Sequence, residues 1–476
     1  MFTQKKRIIN YELIFAYESY IIAVIMQKAH KFKLPAAAFV ALSFFLLICV
    51  GTSLLSLPFA TKSGHIDFLT SLFTATSASC VTGLAVSGTG SYWSYYGQAV
   101  ILILIQIGGL GFITIISLFL LYVKKHTSLS QRKLVMQSAG SVDLASIKGL
   151  VKIILLGTLI IEFVGAFILS FAFVPVYGWG EGIWQAVFTS VSAFCNAGFT
   201  ITDKKAGYSS LVQFMNYPHV ILTVSLLIII GGIGFFVWGD VVRHGVRLKK
   251  YSFHSKVVLS TTGVLIALGW ALFMAFEWNN PATIGNYGAG TKIMSSLFMS
   301  VTPRTAGFNS VNYADMTGAG NILTTVFMLI GGSPGSTAGG LKTTTLAVFV
   351  LSMWATSRRY DEIHLYKRRF EADASHQASA IVCFYLLLAV ASAMLVCAIE
   401  GTPADGIGKV VFEVVSAIGT VGLSQGLTVG LHAVSKVILI LLMYFGRVGG
   451  FTLVLIFSGE KKPVALSRVA DKIIIG

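Results

Sequence analysis

Val81-Thr82-Gly83-Leu84, Asn196-Ala197-Gly198-Phe199, Thr305-Ala306-Gly307-Phe308 and Thr420-Val421-Gly422-Leu423 are four settings of one short turn, with glycines spaced 115, 109 and 115 residues apart. The likeness extends outward. Five residues before each glycine stand Ala78, Ala193, Thr302 and Ala417, and ten before stand Phe73, Phe188, Leu297 and Phe412. A second mark follows each turn: Ile107-Gly108-Gly109-Leu110-Gly111-Phe112, Ile230-Gly231-Gly232-Ile233-Gly234-Phe235, Ile330-Gly331-Gly332-Ser333-Pro334-Gly335 and Phe445-Gly446-Arg447-Val448-Gly449-Gly450. Two marks in register, four times over, define an internal repeat. Repeats that cannot bury their own polar backbone pack around a shared axis.

The surroundings of these turns are apolar. Of the 476 residues, 55% are hydrophobic and 11% charged, a balance foreign to soluble domains. Leu34–Leu57, Leu150–Val174, Val257–Phe276 and Ala378–Ala398 precede the turns, and Ala99–Val123, Val220–Val242, Asn321–Trp354 and Ser435–Phe457 follow them. Each is long enough to cross a hydrocarbon layer of roughly 30 Å. The expected fold is therefore an all-α integral membrane protein of eight transmembrane crossings, made of four tandem helix–pore loop–helix repeats around a pseudo-fourfold ion pathway. The divisions are a tail (1–33), repeat 1 (34–123), repeat 2 with its preceding loop (124–242), repeat 3 (243–357), repeat 4 (358–457) and a second tail (458–476).

Charge sets the orientation, because cytoplasmic loops carry the excess of Lys and Arg. Basic clusters recur at Lys28/Lys31/Lys33, Lys124/Lys125/Arg132/Lys133, Arg243/Arg247/Lys249/Lys250, Arg358/Arg359/Lys367/Arg368/Arg369 and Lys461/Lys462, all on one side of an eight-crossing arrangement. Lys62, Lys204 and Lys205 are scattered on the other. Both termini are then cytoplasmic. The net charge of +16 reports topology and contact with anionic membrane lipid rather than nucleic acid, for which no recognition motif is present. The apolar part of the tail, Tyr11–Met26, carries Glu12 and Glu18 and has two readings: an interfacial helix, or a stretch preceding a true start at Met26. No convincing cleavage site follows the first crossing, which reads as an uncleaved anchor. Cys49, Cys80, Cys195, Cys383 and Cys397 have neither CxxC nor metal-ligand spacing and are read as buried residues.

Non-helical backbone at membrane depth is tolerated only where protein covers it or water reaches it, so the four turns line something. Small residues let the backbone approach an axis, and rings of carbonyl oxygens replace the hydration shell of a cation. A short helix preceding each turn presents its partially negative C-terminal end to the membrane centre, which favours a cation there and disfavours an anion.

These pore segments and glycine-marked inner helices, with Arg304-Thr305-Ala306-Gly307-Phe308-Asn309-Ser310, Gly422-Leu423 and the Gly-rich stretch after Ile330, resemble the Trk/Ktr/HKT superfamily of potassium transporters, especially the bacterial Ktr membrane subunit. The resemblance spans Leu34 to Phe457. It implies a selectivity filter of Val81, Thr82, Gly83, Asn196, Ala197, Gly198, Thr305, Ala306, Gly307, Thr420, Val421 and Gly422. Potassium is then bound at Gly83, Gly198, Gly307 and Gly422, with looser selectivity than in tetrameric channels that stack more carbonyl layers. It further implies uptake across the bacterial cytoplasmic membrane, a homodimer, a cytoplasmic ring of nucleotide-binding regulatory subunits, and sodium as an activator or coupling ion. No organic cofactor is expected, and membrane potential supplies the drive, worth about 2.3 kcal/mol per charge per 100 mV.

Gly331-Gly332-Ser333-Pro334-Gly335-Ser336-Thr337-Ala338-Gly339-Gly340 is too rich in Gly and Pro for regular helix. At 1.5 Å per residue from Asn321 it lies about 15 Å deep, just below the filter. The family carries an intramembrane gating loop at this place. Arg447 stands where other repeats have Gly109, Gly232 and Gly332. A mid-membrane arginine is costly, so it is read as bonding loop carbonyls, as an electrostatic barrier, or as both. Lys342 has two readings, reaching the cytoplasmic cavity or capping loop carbonyls. Asn196 either holds its loop or touches the ion. Glu162, Asp240, Glu413 and Arg304 are expected in structural ion pairs rather than a proton relay.

Gly331-Gly332-Ser333-Pro334-Gly335 also fits G-x-S-x-G, the nucleophile elbow of hydrolases. That chemistry needs a base. His30, His65, His126, His219, His244, His254, His364, His376 and His432 all fall in tails, loops or crossing ends, and no strand-turn-helix context surrounds Ser333. Neither H-E-x-x-H nor a P-loop occurs, so the chain reads as a non-enzyme without its own nucleotide engine.

Overall fold

A computed structural model describes residues 36–111, 144–203, 210–360, 362–371 and 373–449. Both tails (1–33 and 458–476), Lys124, Lys125, Arg132, Lys133, Lys204, Lys205, Phe112, Gly450 and the far parts of the expected crossings Ala99–Val123 and Ser435–Phe457 lie outside the described residues.

The principal helices are α1 (Ala36–Leu55), α2 (Phe68–Ser79), α3 (Tyr95–Leu110), α4 (Leu144–Tyr177), α5 (Trp179–Phe194), α6 (Pro218–Ile233), α7 (Phe235–His244), α8 (Phe253–Glu277), α9 (Ala289–Val301), α10 (Gly318–Leu329), α11 (Thr343–Ser357), α12 (Ala374–Glu400), α13 (Ile407–Ile418) and α14 (Ala433–Val448). One succession runs through them: a long apolar helix (α1, α4, α8, α12), a short one (α2, α5, α9, α13), a turn, and a third helix beginning at α3, α6, α10 or α14. The long helices fall within a few residues of the first expected crossings. Local chemistry fixes several starts. Asp67 caps α2 by accepting from the amides of Leu69 and Thr70, Ser252 caps α8, and Pro218 opens α6, where its missing N–H costs nothing.

By length and composition, Val151–Tyr177, Phe253–Glu277 and Ala374–Glu400 are long and apolar enough to cross a membrane, and a fourth span arises if α6 and α7 count as one. The remaining apolar helices are shorter among the described residues. Large apolar side chains face outward from the long helices: Phe163 is 73% exposed, Leu387 71% and Met394 67%. Water would penalise such a surface; lipid does not. This also corrects the expectation that every cysteine is buried. Cys49 and Cys383 are exposed, on helices whose outer faces are apolar, whereas Cys80 and Cys195 are buried.

The second helices end at their glycine marks. α3 stops before Gly111 (φ +80°), α6 before Gly234 (φ +101°) and α14 before Gly449 (φ +91°). The continuous crossing expected over Val220–Val242 is instead bent by 96° between α6 and α7. A glycine adopts the left-handed region at little cost, and two glycines just upstream leave few side chains to hold the helix straight. In the third quarter the helix breaks at Ile330 and resumes only at Thr343.

One element was not expected. His364–Leu365 (β1) and Arg368–Arg369 (β2) pair as a hairpin closed by Tyr366 and Lys367 at φ +51° and +60°. Phe370 beside it packs edge-on against Phe253 at 5.2 Å, tying the hairpin to the start of α8.

Candidate functional site

The C-terminal parts of the short helices are buried, and each runs straight into one of the four turns. Val81, Asn196, Thr305 and Thr420 sit at φ +57°, +59°, +64° and +51°, and two residues later Gly83, Gly198, Gly307 and Gly422 sit at +89°, +70°, +76° and +92°. A non-glycine residue in this region costs about 1–2 kcal/mol, so strain of the same kind occurs at the same place four times. It is held by bonds back to the short helix. Thr82 N donates to Ser77 O (2.8 Å), Ala197 N to Ser192 O (2.7 Å) and Val421 N to Ser416 O (2.8 Å). Gly83 N and Gly422 N each reach a serine hydroxyl, Ser77 Oγ and Ser416 Oγ, at 3.0 Å.

The third turn is tethered differently. Ala306 N and Gly307 N both donate to Thr302 O, at 3.0 and 3.3 Å, and Thr302 Oγ1 donates to Phe308 O at 2.8 Å. Thr302 stands where the others have alanine. The anchor shifts accordingly: Phe73, Phe188 and Phe412 are buried as their alignment suggests, but in α9 Phe298 is fully buried and Leu297 is not.

The four glycines stand next to one another in a closed circuit. A Cβ placed on Gly83 would lie 2.4 Å from Ala197 O; on Gly198, 2.7 Å from Ala306 O; on Gly307, 2.2 Å from Val421 O; and on Gly422, 2.1 Å from Thr82 O. Each glycine thus meets the peptide before the next glycine, and the fourth meets the first. No side chain fits at these positions. Behind the circuit, a Cβ on Gly108, Gly231 or Gly446 would strike Ser79 O, Phe194 O or Ile418 O at 2.0–2.1 Å, so the glycine marks let the second helices close on the ends of the short ones. In the third quarter the corresponding glycine, Gly331, meets Gly339 O of its own stretch instead, at 2.1 Å.

The stretch Gly331–Gly340 lies against the circuit. A Cβ on Gly339 would stand 2.1 Å from Thr420 Oγ1, and one on Gly340 2.9 Å from Gly419 O. The stretch is bonded on every side. Gly331 N donates to Leu341 O (2.7 Å), Ser333 N to Gly232 O (2.9 Å), Thr337 N to Gly231 O (3.3 Å) and Gly340 N to Gly446 O (3.3 Å), while Phe235 N donates to Gly335 O (2.8 Å). The Ser333 hydroxyl pairs with Thr343 Oγ1 at 2.9 Å. Lys342 Nζ donates to Ala338 O (2.7 Å) and Gly339 O (3.4 Å), so of its two readings it takes the capping one. Arg447 donates from Nη1 to Thr337 O, and from Nη2 to Gly108 O and to Gly109 O (3.2 Å), with Phe44 5.7 Å away under the guanidinium. One side chain of α14 thereby ties the stretch to α3. The Asn196 amide, oriented to satisfy both its atoms, donates to Ala193 O (3.1 Å) and Ile228 O (3.2 Å), which is the loop-holding arrangement.

The expected ion pairs do not form among the described residues. Asp240 accepts from Ser252 Oγ and Ser255 Oγ, both at 2.6 Å; Glu413 accepts from Ser424 Oγ and from Thr428 Oγ1 at 3.0 Å; Arg304 Nη2 reaches only Thr262 Oγ1 at 3.5 Å; and Glu162 accepts from Gln106 Nε2 at 3.3 Å. Hydroxyls and amides satisfy a buried carboxylate without the desolvation of a second charge. Hydroxyl and amide partners 11 to 56 residues away in neighbouring helices and loops carry no pattern in the sequence that sets them apart from charged partners.

The molecule is thus a helical membrane protein whose four turns close on one another in a circuit of backbone, with a non-helical stretch packed on it. The chain belongs to the TrkH family of cation transport proteins, whose family model matches residues 17–463, and it is an integral membrane transporter, not an enzyme. It is 42% identical over 432 residues to the potassium/sodium uptake protein NtpJ of Enterococcus hirae, covering 90% of this chain and 94% of that one. It is 38% identical over 418 residues to the Ktr system potassium uptake protein B of Bacillus subtilis, covering 88% and 92%. The crystal structure of the potassium transporter TrkH from Vibrio parahaemolyticus has the same fold, with a TM-score of 0.68 over 90% of this chain and 86% of that one at 20% identity.

Proposed function

We propose that this transporter takes up potassium through the circuit of four turns, with Val81–Gly83, Asn196–Gly198, Thr305–Gly307 and Thr420–Gly422 as its selectivity filter. The observation that carries the reading is the cyclic order of close approaches, Gly83 to Ala197, Gly198 to Ala306, Gly307 to Val421 and Gly422 to Thr82. Backbone carbonyls of four turns then face one axis, and the ends of α2, α5, α9 and α13 add their partial negative charge, an arrangement suited to a dehydrated cation. The glycine in each of the four turns allows the closest approach, so the ion is held at Gly83, Gly198, Gly307 and Gly422. The names of the relatives, potassium uptake in B. subtilis and potassium/sodium uptake in E. hirae, agree with potassium as the main ion and leave sodium a role as activator or co-substrate.

In this reading the four successions of helices are four repeats with eight crossings, divided as the sequence suggested, and both termini are cytoplasmic. Gly331–Gly340 is the gate and Arg447 its latch, holding Thr337 across the path and placing a positive charge beneath the filter. The resemblance to Ktr systems further supports a homodimer seated on a ring of nucleotide-binding regulatory subunits in a bacterial cytoplasmic membrane.

Purified protein in liposomes should take up potassium down its electrochemical gradient, with potassium preferred to sodium when the two compete. Liposomes in which flux follows sodium alone would reassign the ion, and absence of any cation flux would remove the reading.

A further inference from the structure

The segment that leaves the second turn, Thr200-Ile201-Thr202-Asp203, is bonded to the segments that leave the first and the third. Toward the first, the Asp203 carboxylate lies against the single helical turn Thr89–Tyr92. Gly90 N donates to Asp203 Oδ1 at 2.7 Å, and Ser91 N and Ser91 Oγ donate to Oδ2 at 3.0 and 2.7 Å. A Cβ on Gly88 or Gly90 would overlap those carboxylate oxygens, and one on Gly90 would also stand 2.5 Å from Ile201 O. Two glycines thus open the cradle that the carboxylate fills. Lys62 Nζ donates to Gly90 O at 2.5 Å, so charged side chains fix both main-chain groups of Gly90.

Toward the third turn the link runs through Ser210, which sits at φ +71°. Ser210 N donates to Thr200 Oγ1 at 3.1 Å, and Thr202 Oγ1 donates to Ser210 O at 2.8 Å. Asn309, two residues after Gly307, commits both its main-chain groups to the same place: Asn309 N donates to Ser210 Oγ (2.8 Å) and accepts at its carbonyl from Leu211 N (3.0 Å). Thr200 and Asp203 stand two and five residues after Gly198, and Gly88 stands five after Gly83. The bonds therefore reach the glycines of three turns through only a few residues of chain. The fourth segment is held differently, from its own short helix, where Glu413 accepts from Ser424 Oγ and Thr428 Oγ1.

We propose that segment 200–203 is a spacer for the filter, with Asp203 and Ser210 as positioning residues that set how far the first and third turns stand from the second. The proposal rests on the potassium-uptake reading above. Dehydrated potassium and sodium differ in size, so the preference of a carbonyl ring depends on how far apart its oxygens stand and how freely they follow a smaller ion. Bonds between neighbouring turns resist closure on sodium, and loss of a bond lets the turns follow it. Three donors on one carboxylate make the Asp203 link the stronger of the two.

The test is rubidium-tracer uptake by the full chain in liposomes, read as the ratio of the half-inhibiting sodium concentration to the half-saturating rubidium concentration. Asp203→Ala should lower that ratio about three- to tenfold. Gly90→Ala keeps the Asp203 charge and blocks the cradle from the glycine side. It should lower the ratio as much, and the double variant should fall no further than either single one. Ser210→Ala strands the amide of Asn309 and should lower the ratio about two- to threefold. A role in folding alone would reduce thermal stability and leave the ratio parental. A surface charge that gathers cations would raise both half-concentrations together in Asp203→Ala, leave Gly90→Ala at parental values, and fade at high ionic strength. Either result overturns the proposal while leaving the uptake reading intact. If Asp203→Ala gives no folded protein, Gly90→Ala and Ser210→Ala decide. A parent that takes up neither rubidium nor potassium would instead bring down the uptake reading, and this proposal with it.

Discussion

The circuit of turns and the Gly331–Gly340 stretch lie in direct contact, yet they are built on opposite principles. In the circuit the same backbone conformation recurs four times, with positive φ at the same two positions of each turn. The stretch beneath it occurs once. Its bonds go to three different neighbours: Ser333 and Thr337 to the second quarter, Gly340 to the fourth, and, through Arg447, Thr337 is linked to the first. A site that must surround an ion needs equivalence, since a cation senses every oxygen around it. In the gating role proposed for it, the stretch gains from breaking equivalence, because four identical obstructions would leave no single element to displace.

The largest expected effect comes from breaking the equivalence of the circuit. In Gly422→Ala the new methyl meets Thr82 O at a φ of +92°, and the strain and distortion should cut potassium uptake at least tenfold and abolish discrimination against sodium, measured as competing tracer fluxes in liposomes. Next comes the opposite region. Shortening Gly331–Gly340 should raise flux by about three- to tenfold without any regulatory partner, with selectivity preserved, because the circuit is built from other segments. Arg447→Gln, which loses the charged bonds to Thr337, Gly108 and Gly109, should give a smaller rise of about two- to fivefold, and unchanged flux would strip Arg447 of its latch role. The smallest effect lies outside both regions. Asp67→Ala removes the cap of α2 and should lower thermal stability by about 1 kcal/mol without altering selectivity. The bond from Thr70 holds the Asp67 carboxyl below its ordinary range. A group depressed in the folded state contributes its stability above the unfolded value of about 3.9 and loses it as pH falls through the folded value, so parent and variant should differ equally at pH 7 and pH 5 and converge only in stronger acid.

Much of this was legible in the sequence for a physical reason. Lipid forces long apolar runs, and a ring that excludes Cβ atoms forces glycine, so both demands are written in residue type at fixed spacing. The four long helices and the four turn glycines could be read in that way. Other features leave no such trace. The third turn shifts its tether by one residue, to the main-chain oxygen of Thr302, and nothing in Leu297-Phe298 announces which of the two is buried. The 96° bend at Gly234 was hidden because the same glycine mark also suits an unbroken, closely packed helix. The Tyr366-Lys367 hairpin lacks the Asn-Gly or Asp-Gly pair that usually marks such a turn.

Sequence by itself determined that the chain is helical, that it lives in lipid, and that four glycine turns recur in register. The tertiary structure alone decided that these turns meet in a closed order, that Arg447 reaches across to Gly108 and Thr337, and that Glu162, Asp240 and Glu413 accept from hydroxyls or amides instead of forming salt bridges. Solvent acts on each residue separately and so leaves its record in composition. Contacts between residues hundreds of positions apart depend on distances that only the packed helices set.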